Sequence, residues 1–277
     1  MKRVLVLLAA FLVGCATSGD EGTRTPPPSS GKIEVLWLGQ AAFRITSVEG
    51  KVIVIDPFLT KNPKTPERFK DLKALGKVDA VIVTHGHWDH TFDAPALVKL
   101  NQAPLYGPYD LNLSMTTAGE IPASLSRGMN KSGIAQFAPG ITFTAVKAEH
   151  SSAWQWKDPS TGKDTVLPGG EALGWIIKLE NGFTIYHMGD TGLFGDMKLI
   201  ADLYKPDLVL IPIGGNFAIN PEQAAYAIKE YLKPPYAVPM HYGTFPILAG
   251  KPEDFIKALG ATSTKVIVMQ PGESLKF

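Results

Sequence analysis

Residues 79–90 read DAVIVTHGHWDH, an apolar β-branched run that leads directly into three histidines and one aspartate. Imidazole nitrogens and carboxylate oxygens are common protein ligands of zinc and other divalent ions. The run Asp79–Thr84 predicts a buried strand, and side chains on the loop after such a strand are held by a rigid base. The motif therefore predicts a metal site.

The remaining histidines extend this pattern. The chain has 6 histidines, and His150, His187 and His241 each follow an apolar segment. Asp190 comes shortly after His187, in the run Met188-Gly189-Asp190-Thr191. Repeated placement at strand ends is typical of side chains that meet at one edge of a sheet. His187 is a candidate for supporting a ligand or contacting the substrate, although taken alone it is better interpreted as a core histidine with satisfied hydrogen bonds.

The composition is that of a globular protein with a sizeable core. Of the 277 residues, 45 % are hydrophobic and 19 % are charged, and the formal net charge is +1. This length fits one large domain or two small ones. Lysines and arginines form no stripe with interleaved aromatic residues, so no nucleic-acid partner is expected. The sequence leaves the oligomeric state open.

The N-terminus resembles a bacterial lipoprotein signal. Lys2-Arg3 precedes an unbroken apolar run, Val4–Val13, which is too short to cross a bilayer. The run ends in Leu12-Val13-Gly14-Cys15, which resembles the lipobox at which such signals are cleaved. We therefore predict a signal peptide over residues 1–14 and a flexible Ser/Thr/Pro-rich tether over residues 15–31. The alternative is an ordinary secretory signal with an incidental cysteine.

Cys15 is the only cysteine and the predicted site of lipid attachment. An internal disulfide and a thiolate metal ligand elsewhere in the chain are therefore excluded. Acyl chains anchor a protein because each buried CH₂ contributes about 0.8 kcal/mol. We expect the mature protein in the bacterial cell envelope, anchored to the membrane and facing the periplasm or the outside.

The pattern from residue 32 to residue 277 favours one α/β domain of two packed sheets with helices outside. Asn181-Gly182 predicts a tight hairpin turn. Strands are predicted over Ile33–Leu38, Ala42–Thr46, Val52–Ile55, Asp79–Thr84, Ile141–Ala148, Gly174–Glu180, Phe183–His187, Leu208–Ile213 and Lys265–Met269. Helices are predicted over Ala94–Leu100, over part of Leu111–Ser126, from the cap at Asn220-Pro221 and from Pro252.

The order of these motifs resembles the metallo-β-lactamase superfamily. The resemblance rests on Thr84–His90, His150, Asp190 and His241. Longer runs resemble a branch of metal-dependent hydrolases related to ascorbate-phosphate lactonases and phospholipase-D-like members; they are Val54–Leu59, Glu149–Ser152, His187–Phe194 and Pro239–Tyr242. The resemblance implies an αββα sandwich with a two-metal site at one edge.

The resemblance also implies a role for each ligand. The first metal is held by His85, His87 and His150, the second by Asp89, His90 and His241, and Asp190 bridges them. Asp56 is expected to orient a ligand without touching a metal. Where the family often has Gly-His-Ser, this chain has Gly39-Gln40-Ala41. Gln40 is therefore a candidate for supporting a ligand or contacting the substrate.

Such a site implies hydrolysis. Two metals about 3.5–4 Å apart share a hydroxide that attacks at neutral pH, and they stabilise charge that develops on oxygen. Asp89 and Asp190 are the implied catalytic carboxylates, with Asp89 passing a proton to the leaving group. His87 stands where the oxygen-reducing diiron branch has glutamate, which favours hydrolysis over redox chemistry. A ligand set without sulfur favours two Zn²⁺ ions and permits Mn²⁺ or Fe²⁺.

The bond that is cleaved stays open between a lactone, an amide and a phosphodiester. One alternative is a phosphodiesterase for phospholipid headgroups, which a membrane anchor favours. The other is a metal-binding lipoprotein without catalysis, against which the complete ligand set argues.

Two further segments are candidates for substrate contact. Ser151–Gly170 is rich in Gly, Pro and Lys, and Trp154 within it either contacts the substrate or pins the loop to the body. Gly214-Gly215-Asn216 follows a strand, so its backbone N–H groups are candidates for the site.

Overall fold

The computed structural model describes residues 32–277, and the predicted signal peptide, Cys15 and the tether lie outside the described residues. Two seven-stranded sheets pack face to face, and helices cover both outer faces. This is the single-domain αββα sandwich that the sequence predicts. Over residues 32–277, no helix has both the length and the apolar character needed to cross a bilayer.

The first sheet contains the N-terminal strands and the last strand of the chain. Its strands are β1 (Glu34–Gly39), β2 (Ala42–Thr46), β3 (Val52–Ile55), β4 (Ala80–Ile82), β5 (Leu105–Pro108), β6 (Ser126–Met129) and β16 (Ser274–Lys276). They lie in the order β16-β1-β2-β3-β4-β5-β6. Pairing is antiparallel from β16 to β3 and parallel from β3 to β6.

The second sheet comes from the C-terminal half. Its strands are β7 (Ile134–Ala138), β8 (Ile141–Lys147), β11 (Leu173–Lys178), β12 (Thr184–His187), β13 (Leu208–Pro212), β14 (Tyr236–Met240) and β15 (Lys265–Val266). They lie in the order β15-β14-β13-β12-β11-β8-β7. A separate hairpin pairs β9 (Ala153–Lys157) with β10 (Asp164–Pro168).

Helices connect the strands. They are α1 (Trp88–Thr91), α2 (Ala94–Asn101), α3 (Tyr109–Thr117), α4 (Met197–Tyr204), α5 (Pro221–Tyr226) and α6 (Pro252–Leu259). Three short 3₁₀ turns span Glu67–Phe69, Leu72–Leu75 and Ala123–Leu125, and α5 continues as a π-helix over Ala227–Leu232. Asn220 caps α5 as predicted, because its side chain accepts from the backbone N–H of Gln223.

Strand periodicity explains the three apolar layers. Along β1, Val35 and Trp37 join the core between the sheets, whereas Leu36 and Leu38 join the core beneath α2 and α3. Successive strand side chains point to opposite faces, so a strand buried on both faces is apolar throughout. A third cluster packs α4, α5 and α6 on the second sheet.

The predicted strands and helices are found in the structure with shifts in their bounds, whereas the interior strands β5 and β14 and helix α4 were not predicted. Ser151–Gly170 is largely the β9–β10 hairpin rather than an irregular loop, and Lys265–Met269 shortens to two strand residues. Helix α3 ends at Thr117, before Gly119 with its positive φ of 74°. Strands β6 and β7 escaped prediction because, as partly exposed strands at the sheet edges, they lack a continuous apolar run.

Candidate metal centre

The seven predicted ligands meet at one edge of the sandwich, on loops that leave strands of both sheets. Strand β4 of the first sheet leads into the loop and short helix that carry four of them. Strands β8, β12 and β14 of the second sheet lead into His150, Asp190 and His241. The site therefore lies across the seam between the two sheets.

Their nitrogen and oxygen atoms form three overlapping clusters, and within each cluster the ligand atoms lie within 4.8 Å of one another. The clusters are His85 with His87 and His150, His85 with His90 and Asp190, and Asp89 with His90 and His241. We call the first of these the first trio and the last the second trio. They are the two sets that the family resemblance implies, and the middle cluster shares His85 with the first trio and His90 with the second.

One buried carboxylate orients a histidine of each trio. Asp56 Oδ2 lies 2.7 Å from Nδ1 of His90 and accepts the hydroxyl of Thr84 at 2.7 Å. Because that hydroxyl donates to Asp56, its oxygen accepts from Nδ1–H of His85 at 3.0 Å. In the neutral form of both histidines, Nδ1 therefore carries the proton. The lone pair of Nε2 is then available to a metal ion.

Asp190 lies between the two trios. Its Oδ1 is 3.1 Å from Nε2 of His241 and 3.4 Å from Nε2 of His90, and its Oδ2 is 3.7 Å from Nε2 of His150. Among the described residues, Oδ1 of Asp190 and Nε2 of His90 are buried without a hydrogen-bond partner. Buried polar atoms are rarely left unsatisfied, so this donor set fits divalent ions.

The first trio is electrically neutral at neutral pH. Burial lowers the pKa of His85 well below its ordinary value, and the neighbouring His90 lowers it further. Burial also lowers the pKa of His87 and of His150. Neutral imidazoles are the form that binds metal, so this trio needs to release no proton before it takes an ion.

The second trio is a network of opposite charges. Burial lowers the pKa of His241, but the carboxylates of Asp190 and Asp89 outweigh it and raise this pKa to about 9. The same carboxylates, with Asp56, raise the pKa of His90 well above its usual range against the effect of burial. Burial raises the pKa of Asp89, but His90 and His241 bring it down to about 2. Without ions, protons on these histidines balance the carboxylates.

Three residues at the site have left-handed backbone conformations. Gln40, Asp56 and His241 have φ angles of 52°, 46° and 56°, and each directly follows a strand. Such angles are uncommon for residues other than glycine, and they cluster at functional sites. Each strand end therefore turns abruptly, which brings the next side chain into the site.

Gln40 contacts the second trio directly. Its side-chain nitrogen lies 2.8 Å from Oδ2 of Asp89 and 2.8 Å from Nε2 of His241. Its backbone oxygen accepts from the indole N–H of Trp37 and from the backbone N–H of His241. Sequence reasoning identified this position only because it departs from the family pattern, and it gave no partner.

The other candidate residues lie away from the ligands. His187 is buried, with Nε2 2.9 Å from the backbone oxygen of Ala41 and Nδ1 accepting from the N–H of Gly189. Trp154 is buried in the apolar cluster beneath the first sheet, so its position supports pinning of the hairpin. Asn216 is exposed, and the neighbouring N–H of Gly215 donates to Ile219 rather than toward the ligands.

A cavity of about 360 Å³ opens above the ligands, and we call it the site cavity. Besides metal-ligand candidates it is lined by Trp88, Ser151, Gln155, Phe217, Phe245 and Leu248. The aromatic residues were missed in the sequence, although Trp88 lies inside the histidine motif and Phe217 directly follows Gly214-Gly215-Asn216. Thr84 was also missed as a support for His85.

The stacked sheets and the histidine and carboxylate side chains at their edge define the class of metal-dependent hydrolases with the metallo-β-lactamase fold. The family model described as "Beta-lactamase superfamily domain" matches residues 51–242. The chain therefore belongs to the beta-lactamase superfamily.

Individual relatives agree with this. A "UPF0173 metal-dependent hydrolase" of Polaromonas sp. is 55 % identical over 277 residues, covering 100 % of this chain and 98 % of the relative. One from Rubrobacter xylanophilus is 41 % identical over 248 residues, covering 88 % and 97 %. The solved structure of Igni18, a metallo hydrolase from Ignicoccus hospitalis, is 35 % identical with a TM-score of 0.75, covering 89 % and 98 %. The chain is a metal-dependent hydrolase, as the sequence predicts.

Proposed function

We propose that this hydrolase works with two divalent ions, one in each trio, and cleaves a lactone, amide or phosphodiester bond. The observation that carries the proposal is the position of Asp190. One of its oxygens faces His90 and His241 of the second trio, and the other faces His150 of the first. A carboxylate in this position would be able to contact an ion in each trio.

The donor set suits this role. It contains imidazole nitrogens and carboxylate oxygens and no sulfur, which favours Zn²⁺ and also permits Mn²⁺ or Fe²⁺. When bound, such ions supply a hydroxide nucleophile at neutral pH and neutralise charge that develops on the carbonyl or phosphoryl oxygen. We assign to Asp56 and Thr84 the task of keeping His85 and His90 in the tautomer that binds metal.

Asp89 is our candidate for proton transfer to the leaving group. It lines the site cavity, and its pKa of about 2 keeps the carboxylate ionised at neutral pH. It must therefore accept a proton before it donates one, as a carboxylate that shuttles a proton does. The amide of Gln40 holds one of its oxygens at 2.8 Å.

Metal analysis and one pair of variants test this proposal. Protein purified without chelator should contain about two ions per chain, and Asp190→Ala should lose ions from both trios and about a thousandfold or more in activity. His187→Gln is the matched control, because it changes a neighbouring buried group outside the ligands and keeps an N–H donor for Ala41. One ion per chain in the wild type, unchanged by added metal, would rule out the two-ion site.

A further inference from the structure

The site cavity has an apolar wall held by a buried ring. Phe58 is fully buried, and its ring centroid lies 4.9 Å from that of Trp88 and 6.4 Å from that of Phe245. The Trp88 and Phe245 centroids are 5.8 Å apart. Trp88 nevertheless remains 41 % exposed. Its indole is thus fixed in place while part of it faces open solvent, as in a preformed ligand surface.

Phe217 contributes a second apolar side chain to the same cavity. It is 57 % exposed, although moving a phenyl ring out of water lowers the free energy. Its turn contains left-handed residues, Gly215 with a φ of 72° and Asn216 with a φ of 56°. A single exposed apolar side chain needs no explanation, but several around a cavity beside catalytic ligands mark a binding site.

The charges around the cavity limit what binds there. Among the described residues that line it, none is a lysine or arginine, and the carboxylates Asp89 and Asp190 lie beside the ligand histidines. An anionic phosphodiester would meet the positive charge of the proposed ions but no lysine or arginine between the aromatic residues. Phosphate recognition in proteins commonly uses arginine or lysine. An uncharged substrate fits this lining better.

We infer that the substrate is an uncharged lactone or amide whose apolar acyl or aryl group lies between Phe217 and the Trp88–Phe245 wall. This inference rests on the proposed function and narrows it. In the reaction water is consumed, its oxygen bonds to the carbonyl carbon, and the acyl C–O or C–N bond breaks. The proton goes to the leaving oxygen or nitrogen. Cleavage of a phosphodiester is the competing outcome of the test.

The test uses three probes with metal-loaded protein of measured ion content. γ-Butyrolactone has no side chain, γ-decalactone adds an alkyl chain, and bis(4-nitrophenyl) phosphate combines aryl groups with an anionic centre. Each buried methylene contributes a factor of about four in affinity. We therefore expect γ-decalactone to exceed γ-butyrolactone by about tenfold or more in kcat/KM and in binding, and the phosphate to be the poorest probe.

Phe217→Ala provides the residue-level test. It should reduce kcat/KM and affinity for γ-decalactone by about tenfold and leave γ-butyrolactone within about twofold. Leu199→Ala is the matched control, since Leu199 is 56 % exposed on α4 and lies outside the site cavity. Equal effects on both lactones, or a preference for the phosphate, would overturn the apolar subsite while leaving hydrolysis intact. If the longer lactone bound more tightly but neither lactone were hydrolysed, the apolar subsite would stand and the proposed hydrolysis would be rejected.

A second inference rests on separate contacts, those of Gln40. Only 1 % of this residue is exposed, and its side-chain oxygen is buried without a partner among the described residues. Its nitrogen lies 2.8 Å from each of two atoms, Oδ2 of Asp89 and Nε2 of His241, that are themselves 3.5 Å apart. The backbone N–H of His241 donates to the backbone oxygen of Gln40.

The geometry points to Gln40 as a positioning residue that sets the spacing of Asp89 and His241 before an ion arrives. Supports of this kind typically change metal affinity by about 10- to 100-fold. Gln40→Ala should weaken the binding of the second ion by that factor and leave the first ion unchanged. Gln40→His restores a nitrogen donor at this position and should recover much of the loss.

The measurement is the affinity of each ion by chelator competition, together with the visible spectrum of the cobalt-loaded protein. Gln270→Ala, which changes an exposed glutamine, is the control. A lowered melting temperature with both ion affinities unchanged would show a purely structural role and overturn the inference. Equal weakening of both ions would overturn it as well, because Gln40 contacts the second trio alone among the ligands.

Discussion

The first trio consists of three histidines of lowered pKa, whereas the second trio combines two histidines of raised pKa with an ionised aspartate. His87 and His150 of the first trio border the site cavity and are partly exposed. His90 and His241 of the second are buried. Two sets of similar ligands in one site are therefore prepared differently. In the metal-free protein the histidines of the first trio are neutral, whereas those of the second trio hold extra protons that a bound ion would displace.

The difference follows from what surrounds each histidine. Desolvation alone favours the neutral imidazole, and this effect governs the first trio. In the second trio, Asp190 and Asp89 stand close enough to reverse it. Release of protons makes metal binding depend on pH, so we expect the affinity of the second ion to rise with pH more steeply than that of the first.

Among changes to residues outside the seven candidate ligands, the largest effect on both trios should come from Asp56→Asn. Asparagine accepts the left-handed backbone of this position. Its amide nitrogen, however, would donate toward Nδ1 of His90 or the hydroxyl of Thr84 and thereby disfavour the metal-binding tautomers. We expect both ions to bind about 10- to 100-fold more weakly, as measured by chelator competition.

Thr84→Val separates the trios in the same assay. It removes the hydroxyl that accepts from His85 but leaves the bond between Asp56 and His90. Only the first ion should bind more weakly, and Thr84→Ser should recover its affinity. If Thr84→Val weakened the binding of both ions equally, Asp56 would not be orienting His85 and His90 through separate contacts.

A smaller effect concerns the stability of metal-free protein as pH rises. His241 has a pKa of about 9 in the fold against an ordinary value of 6.5, so the fold binds this proton more tightly than the unfolded chain does. The resulting stabilisation, at most about 3 kcal/mol, is complete below pH 6.5 and is lost as pH rises through 9. The melting temperature of chelator-treated protein should therefore fall between about pH 6.5 and about pH 9.5.

Two controls accompany this measurement. The metal-loaded protein should show a smaller fall, because ions replace the protons between the carboxylates and histidines. His241→Gln should flatten the pH dependence of the metal-free protein. A melting temperature that rises over this interval would contradict the charge assignment of the second trio.

The smallest effect on either trio should come from Cys15→Ser. Cys15 precedes the described residues, and the seven ligands all lie at or beyond His85. Ion content and hydrolysis should match the wild type, whereas the variant should either move to the aqueous phase in detergent partitioning or keep an unprocessed N-terminus. Wild-type protein in the aqueous phase with an unmodified Cys15 would refute the proposed lipid anchor and leave the two-trio comparison unaffected.

The sequence predicted the sandwich because its buried strands are continuous apolar runs that end in chemically distinctive residues. Val52–Ile55 before Asp56 and Leu208–Pro212 before a glycine pair are examples. The β9–β10 hairpin was not predicted, since its outer residues are exposed and its composition is that of a loop. Pairing of such a segment depends on neighbours that local sequence does not reveal.

The candidate site likewise contains residues that the sequence identifies and residues that only the folded structure reveals. Histidines and aspartates indicate metal binding through their type and spacing, so the sequence alone identifies the seven candidate ligands that the fold brings together. The contact of Gln40 with Asp89 spans 49 positions, and that with His241 spans 201. The wall formed by Trp88 and Phe245 likewise depends on Phe58, from another part of the chain. Such partners become visible only when the strands are assembled.

The position of the ligands across the seam between the sheets has a consequence for the lifetime of the protein in the cell. An ion held by His85 from one sheet and His150 from the other would tie together two parts of the chain that are distant in sequence. Ligands that bind only the folded state protect it from proteases by mass action. We expect the chain to persist when divalent metal is plentiful and to be degraded when it is scarce, so that its abundance follows metal supply.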